Sequence, residues 1–200
     1  MTTSSTNGTG NENASEREGP QPWRVVGDEH LQHCKIFDVH RAMMESPRTG
    51  AEHTFFRIES PEWVNVVALT ADEQLVLIRQ YRHGARAITL EIPGGIVDPG
   101  ESPSQAGGRE LLEETGYRAG RLESLGSINP NPALFANRVH MQLALDCERV
   151  AEIQNTSTEE TAVELLPLAD LHDVVRAGAI DHALVVAALY SFELWRSTRS

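Results

Sequence analysis

Hydrophobic residues divide the chain into a polar N-terminal segment and a folded remainder. Residues 1–20 contain almost no large apolar side chain, so they cannot bury enough surface to offset the entropy of ordering. We therefore expect a disordered tail over residues 1–20 and one folded domain over residues 21–200. Hydrophobic residues make up 40% of the chain, which is enough for a single packed core at this length.

Runs of apolar and β-branched residues predict the strands of this domain. The runs lie at residues 31–41, 53–58, 64–70, 74–81, 89–92, 122–128, 140–145 and 161–166. Polar connections are expected at residues 46–50, 71–73 and 129–137, and the middle one would make its two flanking strands a hairpin. Residues 167–176 and 182–196 have the pattern of helices. Strands combined with a central and a C-terminal helix favour a layered α/β arrangement.

The central helix is predicted to begin near residue 102. Ser102 or Ser104 can cap it, and Pro103 suits its first turn. Gly107 and Gly108 each lower helix stability by roughly 1 kcal/mol relative to Ala. We therefore expect both glycines to face a closely packed neighbour.

Three carboxylates lie on one side of this predicted helix. Because an α-helix turns by about 100° per residue, Glu110, Glu113 and Glu114 project together while Leu111 and Leu112 turn towards a core. Like charges on one helix face are destabilising, so we expect a cation to offset their repulsion. Carboxylate oxygens are ligands that suit Mg²⁺, with Mn²⁺ as the alternative.

Composition narrows the choice of partners. The net charge of −12 argues against nucleic acid or an anionic membrane as the main partner, and no apolar run approaches the ~18 residues of a membrane span. Cys34 and Cys147 lack metal-ligand spacing, which favours a reduced, cytoplasmic location. The eight histidines are scattered and are expected to have structural or surface roles.

The segment from residue 95 to residue 117 resembles the Nudix box. Gly95 is followed by five residues and Glu101, then by seven residues and Arg109, and the segment closes on Gly116 and Tyr117. Every fixed position of the box is filled. The resemblance implies the Nudix fold, an α/β fold in which a mixed β-sheet is sandwiched between α-helices, here with an N-terminal strand region.

The resemblance also implies roles for the box residues. Glu110 and Glu114 would be the main metal ligands and Glu113 a supporting one, with the backbone carbonyl of Gly94 as a further ligand. Gly95, Glu101, Arg109 and Gly116 would be structural residues of the box. For Arg109, direct contact with phosphate remains the alternative to bracing the loop.

Other residues resemble the ADP-ribose pyrophosphatase branch of the family. Arg82, in Gln-Tyr-Arg, would contact phosphate or be a surface arginine at a strand end. Glu91, in Glu-Ile-Pro-Gly-Gly, would contact the nucleobase or form a bracing salt bridge. Pro132 lies near the position of the branch's marker proline, although Asn-Pro-Asn-Pro-Ala replaces the usual Ser-Pro-Gly.

The catalytic base is expected shortly before the late strand at residues 161–166. In this branch of the family a glutamate on that loop activates the attacking water. Glu159 and Glu160 both match by position, and Glu160 is the first choice. The alternative is that both are surface acids.

Together these features predict a Mg²⁺-dependent hydrolase that converts ADP-ribose, a small nucleotide substrate, to AMP and ribose 5-phosphate. Another nucleoside diphosphate sugar such as a GDP-sugar, a nucleoside triphosphate or a dinucleoside polyphosphate remains an alternative substrate. A Nudix-fold sensor that binds a nucleotide without cleaving it is the alternative outside enzymes. The branch also implies a homodimer formed through the N-terminal strands.

Overall fold

A computed structural model describes residues 19–155 and 158–199. The tail expected over residues 1–20 therefore lies outside the described residues up to residue 18. Regular structure begins at Arg24, close to the expected start of the folded domain. In the described part of the chain, no helix is both long enough and apolar enough to cross a bilayer.

Seven strands precede the first helix of the described chain, five follow it, and two helices come last. The strands are β1 (Arg24–His33), β2 (Asp38–Glu45), β3 (Glu52–Glu59), β4 (Trp63–Ala68), β5 (Gln74–Arg82), β6 (Ala87–Glu91), β7 (Gly94–Ile96), β8 (Tyr117–Arg118), β9 (Arg121–Ile128), β10 (Val139–Leu145), β11 (Glu148–Arg149) and β12 (Thr161–Pro167). The helices are α1 (Pro103–Thr115), α2 (Leu171–Arg176) and α3 (Ala183–Ser197), and a 3₁₀ turn spans Leu168–Asp170.

A mixed sheet between two helical layers forms the centre of the fold. Its strand order is β7-β4-β10-β9, with β4 parallel to β10 and the other pairs antiparallel. Val64 and Val66 of β4 pack with Leu111 of α1, whereas Val67 packs with Phe192 of α3. Since alternate residues of a strand face opposite sides, the sheet lies between these two helices. The predicted fold class is therefore confirmed.

The N-terminal strands form a separate antiparallel sheet in the order β1-β2-β3. The prediction of one strand over residues 31–41 is wrong, because β1 ends at His33 and β2 begins at Asp38. Lys35 takes a left-handed conformation with φ of 60°. The amide of Cys34 donates to the carbonyl of Phe37 at 2.8 Å, so the chain reverses here.

The hairpin predicted from residues 64–70 and 74–81 is also incorrect. An isolated bridge between Leu69 and Leu75 and hydrogen bonds between Thr70 and Gln74 close the turn, but the two strands do not pair along their length. Beyond it β4 joins the central sheet, whereas β5 pairs with β12 and β6 in the order β12-β5-β6. Both strands are buried on both faces, so their apolar pattern cannot identify their partners.

Helix α1 begins and ends with well-formed caps. Ser102 is the N-cap, its hydroxyl accepts from the Gln105 amide, and the Gln105 side chain accepts from the Ser102 amide in return. Pro103 occupies the first turn, as predicted. Gly116 ends the helix with φ of 74°, and a Cβ atom there would lie 2.1 Å from the carbonyl oxygen of Ala151. Gly116 is therefore required both by its backbone conformation and by the close approach of residue 151.

The two glycines inside α1 differ in how closely they are packed. A Cβ atom on Gly107 would lie 3.2 Å from both Gln142 Cγ and Val66 Cγ2. A Cβ atom on Gly108 would lie 3.4 Å from Leu122 Cδ1, which is ordinary contact. The expected close neighbour is therefore confirmed, and Gly107 has the tighter contact with the central sheet.

We expect Gly108→Ala to raise the free energy of unfolding by up to ~1 kcal/mol, because Ala favours the helix and the site can accept a methyl group. Gly107→Ala should be less stable than Gly108→Ala, because its methyl group would press on the branched Val66 side chain. Urea denaturation of both variants measures the difference. Equal stability of the two would contradict this account of the helix–sheet contact.

Candidate active site

Arg109 joins the loop of the box to its helix. Its Nε and Nη2 donate to the two carboxylate oxygens of Glu101 at 3.1 and 3.0 Å, and Nη2 also donates to the carbonyl of Ile96 at 3.0 Å. Its Nη1 donates to Glu110 at 2.8 Å and to Glu113 at 3.2 Å. The hydrogen bonds to Glu101 are the largest cause that holds the pKa of Arg109 above its ordinary value. These are the contacts that a bracing residue would make.

Gly94 and Gly95 allow β7 to approach the glutamates of α1. The Gly94 amide donates to Glu114 Oε2 at 2.9 Å. A Cβ atom on Gly95 would lie 2.3 Å from Glu110 Oε1, and one on Gly94 would lie 2.3 Å from the carbonyl oxygen of Val64. A side chain at either position would therefore displace a carboxylate or the neighbouring strand.

The glutamates of α1 lie in different electrostatic environments. Burial raises the pKa of Glu114 to about 8, and the carboxylates of Glu110 and Glu159 act in the same direction. Burial also raises the pKa of Glu110, against the hydrogen bond from Arg109. The side chain of Glu113 is 41% exposed. A divalent cation would relieve the cost of burying charge at Glu110 and Glu114.

These oxygen donors have the chemistry that a hard divalent cation requires. In this conformation, however, no group of three or more His, Cys, Asp or Glu side chains among residues 19–155 and 158–199 is arranged to hold a metal ion. Glu110 and Glu113 instead contact Arg109. The set therefore fits a metal by donor type and charge, and binding would require these carboxylates to turn away from Arg109.

A second arginine is fixed by a buried glutamate. Arg82 Nε donates to Glu91 Oε1 at 2.9 Å and Nη2 donates to Glu91 Oε2 at 2.7 Å. The Glu91 side chain is only 2% exposed, and burial acts to raise its pKa. Hydrogen bonds from Arg82 and Thr89, together with the close contact of His182, outweigh burial and hold the pKa of Glu91 well below its ordinary value. Glu91 therefore makes the bracing salt bridge, and its contact with a nucleobase remains a prediction.

The loop that precedes β12 is tied to the C-terminal end of α1. The Gln154 amide donates to the carbonyl of Glu113 at 2.7 Å, and the Thr161 hydroxyl donates to the carbonyl of Glu114 at 2.8 Å. These bonds use carbonyls that a helix end leaves without intrahelical partners. Glu159 and Glu160 lie between the two anchors, and both are exposed. The fold thus holds the predicted base loop against the helix that carries the glutamates.

The structure separates Glu159 from Glu160 by their electrostatic effects. The charge of Glu159 contributes to the pKa shifts of Glu110, Glu114 and Arg82. The charge of Glu160 is not one of the largest contributions to the pKa shifts of these three residues. These effects favour Glu159, whereas Glu160 was the first choice from sequence, and the identity of the base remains a prediction.

Pro132 lies on the loop expected from the sequence, whereas the positions of His182 and Thr89 beside Glu91 were not foreseen. Pro132 is exposed on the loop between β9 and β10, and its role in the site remains a prediction. His182, expected to be structural or at the surface, lies with its Nδ1 atom 3.2 Å from Glu91 Oε2. Thr89 donates to Glu91 Oε1 at 2.6 Å. No sequence signal links either residue to Glu91, except that Thr89 shares its strand.

Buried carboxylates on α1 lie near a guanidinium that Glu91 holds in place, beside a mixed sheet packed between helices. A family model described as the NUDIX domain matches residues 61–189, which is more than half of the chain. The chain belongs to the Nudix family. Nudix hydrolases depend on divalent metal ions, and the expected enzyme class, a Nudix pyrophosphatase, is confirmed.

Known proteins resemble the chain over most of its length. The ADP-ribose pyrophosphatase of Bacillus subtilis (strain 168) is 27% identical over 177 residues, covering 83% of this chain and 95% of that protein. The ADP compounds hydrolase NudE of Escherichia coli (strain K12) is 27% identical over 173 residues, covering 86% and 91%. A crystal structure of an ADP compounds hydrolase has a TM-score of 0.81 at 26% identity, covering 92% of this chain and 98% of that one. The resemblance to the ADP-ribose pyrophosphatase branch is thereby confirmed.

We expect Glu114→Gln to stabilise the metal-free protein at about pH 8 and to remove its stabilisation by Mg²⁺. The pKa of Glu114 in the folded state, about 8, is above its ordinary value of 4.5. Its contribution to stability is therefore fully present below about pH 4.5 and is lost as the pH rises through about 8. Because Gln does not titrate, the free energy of unfolding of the variant should fall less than that of the wild type between about pH 5.5 and pH 8.

Glu113→Gln provides the matched control for this experiment. Glu113 lies on the same helix, but its side chain is partly exposed, so this variant should keep the pH dependence of the wild type. Denaturation with EDTA or with Mg²⁺ measures both effects. If Glu114→Gln were stabilised by Mg²⁺ as strongly as the wild type, Glu114 would not be a main metal ligand.

Proposed function

We propose that the protein is a Mg²⁺-dependent ADP-ribose pyrophosphatase, which hydrolyses ADP-ribose to AMP and ribose 5-phosphate. The observation that carries the proposal is the pairing of buried carboxylates on α1 with the oriented guanidinium of Arg82. The similarity to an ADP-ribose pyrophosphatase and to ADP compounds hydrolases supports the substrate class. A diphosphate bond resists hydrolysis because its oxygens repel a nucleophile, so the site must supply positive charge and a positioned water.

Glu110 and Glu114 are the proposed main ligands of Mg²⁺, with Glu113 and the carbonyl of Gly94 in support. When bound, the ion neutralises phosphate oxygens and lowers the pKa of a coordinated water. Mg²⁺ is preferred because the set consists of oxygen donors, and Mn²⁺ shares that preference. Arg109 then keeps Glu101 and the carbonyl of Ile96 as partners, so the loop remains braced.

Arg82 is the proposed contact for a phosphate group of the substrate. One edge of its guanidinium, formed by Nε and Nη2, is occupied by Glu91. The other edge, formed by Nη1 and Nη2, has the geometry to donate to two oxygens of a phosphate. Glu91 therefore fixes the direction in which this second edge points. The salt bridge to Glu91 and the phosphate contact are compatible roles of one side chain.

Glu159 is the proposed general base, in place of Glu160. Its charge acts on Glu110, Glu114 and Arg82, which are the groups that would surround the diphosphate. A base must lie within hydrogen-bond reach of the water it deprotonates, directly or through a second water. The anchors at Gln154 and Thr161 restrict how far this loop can move from α1.

We expect the protein to convert ADP-ribose with Mg²⁺ to AMP and ribose 5-phosphate. Glu159→Gln should lower kcat roughly a hundredfold with little change in KM, because it removes a general base but retains the size of the side chain. Glu160→Gln, the matched control on the neighbouring residue, should remain near wild type. Product chromatography and steady-state kinetics measure these changes.

The same assay separates the rival interpretations. Loss of kcat in Glu160→Gln instead of Glu159→Gln would restore the first choice of base. Faster turnover of a GDP-sugar, a nucleoside triphosphate or a dinucleoside polyphosphate than of ADP-ribose would change the substrate. Calorimetric binding of ADP-ribose without any product would identify a sensor and overturn the proposed activity.

The proposed assembly is a homodimer formed through the sheet β1-β2-β3. Phe55 and Phe56 are adjacent in β3 and point to opposite faces, yet they are 46% and 55% exposed. Trp23 packs edge-on against Phe55 with ring centroids 5.4 Å apart, and it is itself 41% exposed. A second copy would cover apolar surface that is costly to leave in water. Both cysteines are free thiols, in line with the proposed cytoplasmic location.

We expect light scattering to show a dimer at micromolar concentration and Phe56→Glu to dissociate it, because a charge would then be buried at the interface. Leu194→Glu is the matched control. Leu194 is 51% exposed on α3, away from the N-terminal sheet, so this variant should remain dimeric. A monomeric wild type, or a dimer that Phe56→Glu leaves intact, would contradict the proposed interface.

A further inference from the structure

Each oxygen of the Glu91 carboxylate contacts Arg82 and one further side chain. We call this further side chain a brace. Oε1 accepts from Arg82 Nε at 2.9 Å and from the Thr89 hydroxyl at 2.6 Å. Oε2 accepts from Arg82 Nη2 at 2.7 Å and lies 3.2 Å from His182 Nδ1. Each oxygen therefore has one arginine bond and one neighbour outside the arginine. Thr89 comes from the same strand as Glu91, whereas His182 comes from the start of α3.

His182 does not use its side chain to cap α3. It occupies the N-cap position, but its side chain makes no capping hydrogen bond. Its Nδ1 atom is buried, and no residue of the described chain gives it a hydrogen bond of full geometric quality. Glu91 Oε2 lies 3.2 Å from it, within hydrogen-bond distance. Because an ionised carboxylate can only accept, Nδ1 must carry the proton in this contact.

The brace matters because Arg82 requires its carboxylate partner to lie in one plane with the guanidinium. The last torsion of a glutamate is broad and has no sharp preference of its own. With Thr89 alone, Oε1 would have a second polar neighbour besides Arg82, whereas Oε2 would depend on its bond from Arg82 Nη2. Arg82 is 45% exposed, so packing around its own side chain does not replace the missing constraint.

We propose that His182 is a positioning residue that fixes the plane of Glu91 and, through it, the edge of Arg82 that faces a phosphate group of the nucleotide. This role rests on the proposed function of Arg82. His182 makes no contact with the reacting atoms in this arrangement. Its loss should therefore weaken substrate binding and leave the chemical step almost unchanged.

The experiment compares His182→Leu, which removes the donor, with His182→Asn, whose amide nitrogen is attached at the same carbon as Nδ1. His172→Leu is the matched control, because His172 lies on α2 and contacts Glu193 at 3.7 Å. The first readout needs no substrate or metal. The side-chain Nε–Hε NMR signal of Arg82, assigned by its loss in Arg82→Lys, reports whether the guanidinium is held in place.

We expect His182→Leu to broaden or shift this signal and to raise KM for ADP-ribose roughly three- to tenfold, the size of effect that the loss of one ordinary hydrogen bond has. We expect kcat to change by less than about twofold. His182→Asn should keep the signal and the KM of the wild type, as should His172→Leu. Thr89→Val, which removes the other brace, should resemble His182→Leu and replaces it if that variant does not fold.

Two results would overturn the proposal. One is an unchanged Arg82 signal and KM in His182→Leu. The other is equal impairment of His182→Leu and His182→Asn, which would show that the donor is irrelevant. An Arg82→Ala variant separates this inference from the proposed function. If its KM for ADP-ribose were unchanged, the phosphate role of Arg82 would fail, and the NMR signal of the free protein would still decide whether His182 positions Arg82.

Discussion

The burial of the Glu114 carboxylate is the constraint on which the site depends. An ionised carboxylate away from water is costly unless it is paired, and the Gly94 amide supplies only one hydrogen bond. The chain nevertheless packs β7 tightly against α1, through Gly94 and Gly95, which have no side chains to obstruct the approach. Such packing favours the neutral form of this carboxyl group, and a divalent cation would favour its ionised form when bound. The preference for a divalent cation and the need for glycine at positions 94 and 95 therefore both follow from the burial of this carboxyl group.

The two arginines near this charge differ in how fully their donors are used. Arg109 donates to three carboxylates and one backbone carbonyl, so it is suited to hold the loop. Arg82 has one edge on Glu91 and a second edge with donors for an oxyanion. Both arginines lie close to buried glutamates. The bracing role and the proposed phosphate contact are told apart only by how many of the N–H donors already have partners within the protein. That distinction could not be drawn from the sequence.

Local features of the site were predictable, whereas long-range ones were not. Ser102 and Pro103 could be interpreted from helix-capping rules, because those rules involve neighbours a few residues away. The pairing of β4 was predicted incorrectly, since a strand buried on both faces has the same pattern whichever strand lies beside it. The break after His33 was missed because it depends on the left-handed conformation of Lys35, a residue type that seldom adopts it.

The position of Glu91 explains why the site needs both helical layers of the fold. Glu110 and Glu114 come from α1, on one side of the central sheet, and His182 comes from the start of α3, which packs on the other side. Glu91 is the last residue of β6, where its Oε2 atom lies 3.2 Å from His182 Nδ1 while Arg82 extends from the neighbouring strand. The groups assigned to the metal and those assigned to phosphate are therefore fixed by different helices. A change in packing between the two helical layers would alter the distance between the residues assigned to the metal and those assigned to phosphate, even if none of these residues were changed. The central sheet, which lies between the layers, resists such a change.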